Sequence, residues 1–143
     1  MKRLIVDSCV WFALLDKTDD KHKYADQIKR VLDIHELIVP FPTLYETINT
    51  RLSRNEYRQM EGLFEHLQKE GHVVLIPDTK YRDKALQIVN EQISTDKTFS
   101  LVDMIIRLMM EDDTLGDVAV YSFNVRDFVG VGYKEVFSPE WNQ

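Results

Sequence analysis

Three acidic side chains stand where structural elements begin or end. Asp7 closes the apolar run Leu4-Ile5-Val6, Glu46 ends Thr43-Leu44-Tyr45-Glu46, and Asp103 ends Ser100-Leu101-Val102-Asp103. Carboxylates are hard oxygen donors, so three of them brought to one sheet edge would suit a hard cation such as Mg2+. Two of the three also have a purely structural explanation. Thr43 with Glu46, and Ser100 with Asp103, match the spacing of a helix capping box. Asp103 could further pair with Arg107 one turn on, a common and weak surface contact. Asp7 is different: Ser8 beside it is the better candidate to cap the next helix, which leaves Asp7 for chemistry.

The elements that must position these acids can be read from periodicity. Residues 3–6 form a short buried strand, and Val10, Ala13 and Leu14 repeat at helical spacing behind Ser8. An acidic turn at 17–20 precedes an amphipathic helix marked by Tyr24, Ala25, Ile28, Val31 and Leu32. Residues 37–39 predict a second strand, which Pro40 and Pro42 lead into a helix over 43–52 that carries Glu46. A helix follows over 55–69, with Tyr57, Met60, Leu63, Phe64 and Leu67 on one face, and Gly71 stops it before a third strand at 72–76. Another helix follows over 79–93. The helix opened by Ser100 buries Leu101, Met104, Ile105, Leu108 and Met109, and Gly116 separates it from a fourth strand at 118–122. Residues 123–128 read as a loop and 134–137 as a last short strand.

This alternation predicts a three-layer α/β/α domain around a mostly parallel central sheet of four to five strands. Ligands in such sheets sit beyond the carboxyl ends of the strands. Asp7, Glu46 and the pair Asn124 and Asp127 all follow strands, whereas no evident strand precedes Asp103. Its place on that rim is an inference from chemistry.

At 143 residues, 44% apolar and 10% aromatic, the chain fits one domain with one substantial core. A single cysteine, Cys9, excludes an internal disulfide, and no Cys/His cluster has zinc spacing, so a cytoplasmic setting and an oxygen-lined site are expected. No apolar run is long enough for a membrane span or a secretion signal. A net charge of −6 argues against broad adhesion to nucleic acid, yet bound cations could reverse the sign locally. An aspartyl-phosphate hydrolase would carry a second acid two positions after Asp7, where Cys9 stands.

The ordered set Leu4-Ile5-Val6-Asp7-Ser8-Cys9-Val10-Trp11, then His22 with Ala25, Pro42-Thr43-Leu44-Tyr45-Glu46, Ser100-Leu101-Val102-Asp103, and Ser122-Phe123-Asn124-Val125-Arg126-Asp127-Phe128 resembles the PIN domain family over almost the whole chain. Small single-domain members of that family resemble the toxin ribonucleases of toxin–antitoxin pairs. The resemblance implies a metal-dependent endoribonuclease with Asp7, Glu46, Asp103 and Asp127 as catalytic and metal-binding acids, and one or two Mg2+ or Mn2+ ions. It implies supporting roles for Ser8, Ser100, Ser122 and Asn124, with Asn124 and Asp127 competing for the fourth position. It also implies an RNA substrate, a small antitoxin partner and a homodimer. The family usually has Thr where Ser122 stands, a mild departure. The alternative is a PIN-like scaffold or binding protein without turnover. Arg51, Arg54 and Arg58 are candidates for RNA phosphates or a solvated helix face. His22 reads as a cap or packing residue, Trp11 and Phe12 as core or dimer contacts, and Cys9 as a small buried side chain.

Overall fold

The computed structural model describes residues 2–48, 57–69, 71–93, 99–131 and 135–141, with only the backbone for 57–60. Arg51 and Arg54 lie outside the described residues, and Arg58 is described only as backbone within its helix. The chain runs β1 (Arg3–Val6), α1 (Ser8–Leu15), a 3-10 turn (His22–Tyr24), α2 (Ala25–Ile34), β2 (Glu36–Pro40) and α3 (Phe41–Thr47). It continues through α4 (Tyr57–Leu67), β3 (Val73–Ile76), α5 (Arg82–Glu91), α6 (Leu101–Glu111), a 3-10 turn (Asp113–Leu115), β4 (Val118–Tyr121), a 3-10 turn (Val125–Asp127) and β5 (Val136–Phe137).

The described strands form one five-stranded sheet in the order β3-β2-β1-β4-β5, and every pairing is parallel. A parallel sheet needs crossover helices, which cover both of its faces. Alternation along the strands divides the core accordingly. Leu4, Val6, Leu37, Val39, Ala119 and Tyr121 point to one layer with Val10 and Trp11 of α1, Ile28 and Leu32 of α2 and Leu63 of α4. Ile5, Ile38, Val118 and Val120 point to the other, against Ala85 of α5 and Ile105, Ile106, Met109 and Met110 of α6. Two cores separated by one sheet make the predicted α/β/α layering.

The chain leaves β1 toward β2 on one side and returns to β4 on the other, so the crevice for a ligand lies between the carboxyl ends of β1 and β4. Register aligns those ends: Val6 pairs with Tyr121, and the Asp7 amide donates to the Tyr121 carbonyl at 3.1 Å. Asp7 and Ser122 are thereby placed side by side by backbone geometry alone.

Three local expectations are corrected. The cap of α1 is Asp7 itself, whose carboxylate accepts from the Ser8 amide at 2.8 Å; Ser8 is the first helical residue. Helix α3 starts two residues before the predicted 43, with Pro40 as its cap and Pro42 in its first turn, where a missing N–H costs nothing. Thr43 is therefore inside the helix, donating to the Pro40 carbonyl at 2.7 Å, and forms no capping box with Glu46. On α4, Leu63 is buried but Phe64 is 41% exposed, because the apolar stripe is narrower than its spacing suggested.

Candidate active site

Each acid reaches the rim from a different element. Asp7 follows β1, Glu46 lies on α3, Asp103 occupies the first turn of α6, and Asp127 ends the 3-10 turn after β4. Only Ser100 keeps the capping role expected of it, its hydroxyl accepting from the Asp103 amide at 3.1 Å.

Asp7 is 4% exposed and its carboxylate is closely held. Oδ1 accepts from the Ser8 amide, and Oδ2 accepts from the Ser122 hydroxyl at 2.8 Å, with the Cys9 thiol 3.5 Å away. The Ser122 oxygen in turn accepts from the Asn124 amide at 2.9 Å and lies 3.5 Å from Cys9 Sγ. Asn124 thus supports the site through its backbone. Cys9, read from sequence as packing, touches both the acid and the serine that orients it. Burial and the neighbouring Asp7 charge push the Cys9 thiol up to about 12, so it stays protonated and can donate.

Burial and the charges of neighbouring acids act together on these carboxyls. Burial raises Asp7 above the usual carboxylate range, the donors from Ser122, Ser8 and Cys9 oppose this, and the Asp127 charge adds to it. Burial raises Glu46 as well, with the Ser8 hydroxyl pulling the other way and the charges of Asp7 and Asp103 pushing it higher. Asp103 rises to about 6, from burial first and then from Asp7 and Asp127, while the Ser100 hydroxyl opposes the shift. Carboxylates that raise one another's proton affinity form a site of concentrated negative potential, which a proton or a cation relieves.

Among the described residues no three His, Cys, Asp or Glu groups are gathered closely enough to enclose a metal ion. The donor set still suits Mg2+ or Mn2+ in type and charge, because Mg2+ takes one or two carboxylates and keeps several waters.

The Asp103–Arg107 pair that helical spacing allowed does not form; the Arg107 guanidinium turns elsewhere. Arg107 Nη1 donates to the carbonyls of Asp127 at 2.9 Å and Val129 at 3.3 Å, and the guanidinium lies 4.5 Å from the centroid of the Phe99 ring. A residue on the helix that carries Asp103 therefore ties down the turn that carries Asp127. Periodicity carried no signal for this, since the contact joins segments twenty residues apart. Trp11 is fully buried against His66, which makes it core, and His22 Nδ1 bonds the Ala13 carbonyl at 2.8 Å, which makes it packing.

Comparison with known proteins adds two findings. The family model described as PIN domain matches residues 4–121. Among solved structures, the chain is similar to VapC20 of Mycobacterium tuberculosis, described as a sarcin-ricin loop cleaving toxin. The two share 18% identity at a TM-score of 0.65, over 93% of this chain and 98% of that one. It is also similar to a chain of FitAB bound to an IR36 DNA fragment, with 13% identity, a TM-score of 0.62, and coverage of 98% and 97%. No curated protein sequence matches the chain.

Proposed function

The chain belongs to the PIN domain family, and from that premise we propose that it is a metal-dependent endoribonuclease that hydrolyses RNA phosphodiester bonds. The observation that carries this reading is the buried Asp7, held by Ser122 where the carboxyl ends of β1 and β4 meet at the switch point of a parallel sheet, with Glu46 and Asp103 near enough that its charge adds to the effect of burial in raising both. Such repulsion is costly to maintain unless the cluster has a cation to hold.

Asp7 and Asp103 are the direct ligands in this proposal. Glu46 binds directly or through water, and Asp127 completes the shell or serves a second ion, so that one or two Mg2+ or Mn2+ ions are held. A bound ion supplies charge compensation for the phosphate and a lowered pKa for the attacking water. The chain's own residues set the geometry. Ser122, Ser8 and Cys9 occupy three acceptor positions of Asp7 and fix the orientation of its carboxylate. Ser100 holds the first turn of α6 so that Asp103 faces the other acids, and Arg107 holds the Asp127 turn.

A toxin role beside a small antitoxin is supported by the likeness to VapC20, itself described as a toxin. A single domain, a homodimer and a cytoplasmic setting complete the proposal. Among the described residues no helix is long and apolar enough to cross a membrane.

The test incubates the purified chain with structured and single-stranded RNA and with DNA, in Mn2+, Mg2+ or EDTA, beside Asp7→Asn and Asp103→Asn. Cleavage that needs the ion and both acids is expected. Cleavage in EDTA, or full activity in both variants, overturns the reading. Ion binding with no cleavage of any substrate would favour the scaffold alternative.

A further inference from the structure

Helix α4 packs on α1 at two rungs. At the first, Gly62 of α4 faces Leu15 of α1 so closely that a Cβ on the glycine would stand 3.6 Å from Leu15 Cδ2. At the second, one turn further along α4, His66 meets Trp11. The ring centroids lie 5.9 Å apart, edge to face, with their planes at 60°. Trp11 sits one turn beyond Asp7, so the helix that α4 braces is the one Asp7 caps.

The second rung carries two polar atoms. Trp11 Nε1 and His66 Nδ1 are both enclosed, and neither has a hydrogen-bond partner among the described residues. Enclosed polar groups without partners are rare and costly, and these two are chemically complementary. An indole N–H only donates, whereas an imidazole nitrogen accepts when the ring is neutral and its hydrogen is on the other nitrogen. Protonation puts an N–H on Nδ1 as well. Two donors then share one enclosed space without an acceptor, and that arrangement is unfavourable.

The charges that face His66 act mostly in the same direction. Lys69, on α4 itself, is paired with Asp33 of α2 at 3.2 Å. Lys29 is exposed on α2, and His72, ahead of β3, donates from Nε2 to the Leu32 carbonyl at 2.7 Å. Helix α1 presents the uncharged indole. Burial is the main force lowering the His66 pKa from its ordinary 6.5; Lys69 adds to it, Asp33 opposes it, and Lys29 and His72 lower it further. The folded chain therefore holds this proton less tightly than the unfolded chain, and the penalty appears as pH falls through 6.5.

We propose that Trp11 and His66 form an acid-sensitive latch between α1 and α4. The indole N–H donates to neutral His66 Nδ1, directly or through one enclosed water, and protonation of His66 releases the latch. Release loosens α4 from α1 while the sheet stays folded. The latch needs no assumption about substrate or metal.

The chain has two tryptophans, so Trp141→Phe leaves Trp11 as its one indole. Imidazolium quenches a neighbouring indole more strongly than neutral imidazole does. In that background Trp11 fluorescence should fall in one step as pH is lowered from about 8 to about 4.5, with its midpoint below 6.5, and His66→Gln should abolish the step. Trp11→Phe keeps an aromatic ring and removes the N–H. It should raise the His66 midpoint followed by NMR of the imidazole C–H, because the neutral form loses its donor. Amide exchange across α4, corrected for its intrinsic pH dependence, should quicken between about pH 7 and about pH 5 in wild type and not in His66→Gln. Several results would each overturn the latch: no fluorescence step, a step that survives His66→Gln, or a midpoint at or above 6.5. So would an unshifted midpoint in Trp11→Phe, or corrected α4 exchange that is the same at both pH values.

Discussion

Removing one charge from the acid cluster should stabilise the ion-free protein. Asp103 rises from 3.8 to about 6 in the folded chain. The folded state therefore binds this proton more tightly than the unfolded state. The resulting penalty is absent below the unfolded value, grows through the interval between the two, and is full above about pH 6. A rise of that size would correspond to about 3 kcal/mol at pH 8, and roughly half of that at pH 5. Asp103 is only partly buried, so solvent screening reduces the full figure to about 1–2 kcal/mol. Asn forgoes the favourable interaction of a carboxylate with the first turn of α6, about 0.3–1 kcal/mol, while keeping the Ser100 cap on its amide. Asp103→Asn should therefore be more stable than wild type by about 1 kcal/mol at pH 8, and about equal to it at pH 5.

The assay is urea or thermal unfolding of both proteins in EDTA at the two pH values, then in excess Mg2+ or Mn2+. In a domain of this size the difference is a rise in Tm of about 3–5 °C at pH 8. Saturating ion should reverse the order, because the wild type gains linkage stabilisation that the variant largely loses. A variant less stable than wild type at pH 8 in EDTA, or an advantage equal at both pH values, would refute the argument that burial and the neighbouring acids disfavour the ionised Asp103.

Other perturbations test other links. Ser122→Ala removes a buried donor from a buried carboxylate and should cost about 1–3 kcal/mol in urea unfolding, with weaker Mn2+ binding by titration calorimetry. Arg107→Met should lower ion affinity by roughly tenfold while leaving α6 intact by far-ultraviolet circular dichroism, since the bonds to Asp127 and Val129 and the guanidinium contact with the Phe99 ring, all outside the helix, are what is lost. Asp112 accepts from Tyr81 Oη at 2.6 Å, Lys80 Nζ at 2.7 Å and Thr114 Oγ1 at 2.6 Å, which hold its carboxyl well below the usual range. That depressed pKa adds stability above the ordinary Asp value and loses it as pH falls. Asp112→Asn should cost about 1–2 kcal/mol at pH 7, and the gap should narrow below about pH 4 in acid unfolding curves.

Periodicity and local chemistry determined much of this protein. Two-residue alternation and helical stripes are properties of consecutive residues, so the order of strands and helices, the parallel sheet and the placement of Asp7 after β1 were legible without coordinates. Ser100 as a cap was legible for the same reason. Element ends were read less well: α3 begins at Phe41 because Pro40 and Pro42 favour an early start, and Asp7 rather than Ser8 caps α1. What only tertiary structure decided is how chain segments distant in sequence meet. Among the described residues no strand lies between α5 and Asp103, and only the packing of α6 against the back of the sheet brings its charge to bear on Asp7. Arg107 had an acid at the right helical spacing and instead reached across to the Asp127 carbonyl. Cys9 was legible as a small side chain, but its contact with Ser122 depends on β1 and β4 lying side by side. Spacing along a chain records which groups share a helix face or a strand face; the positions at which separate elements cross are set by the shape of the two cores between them.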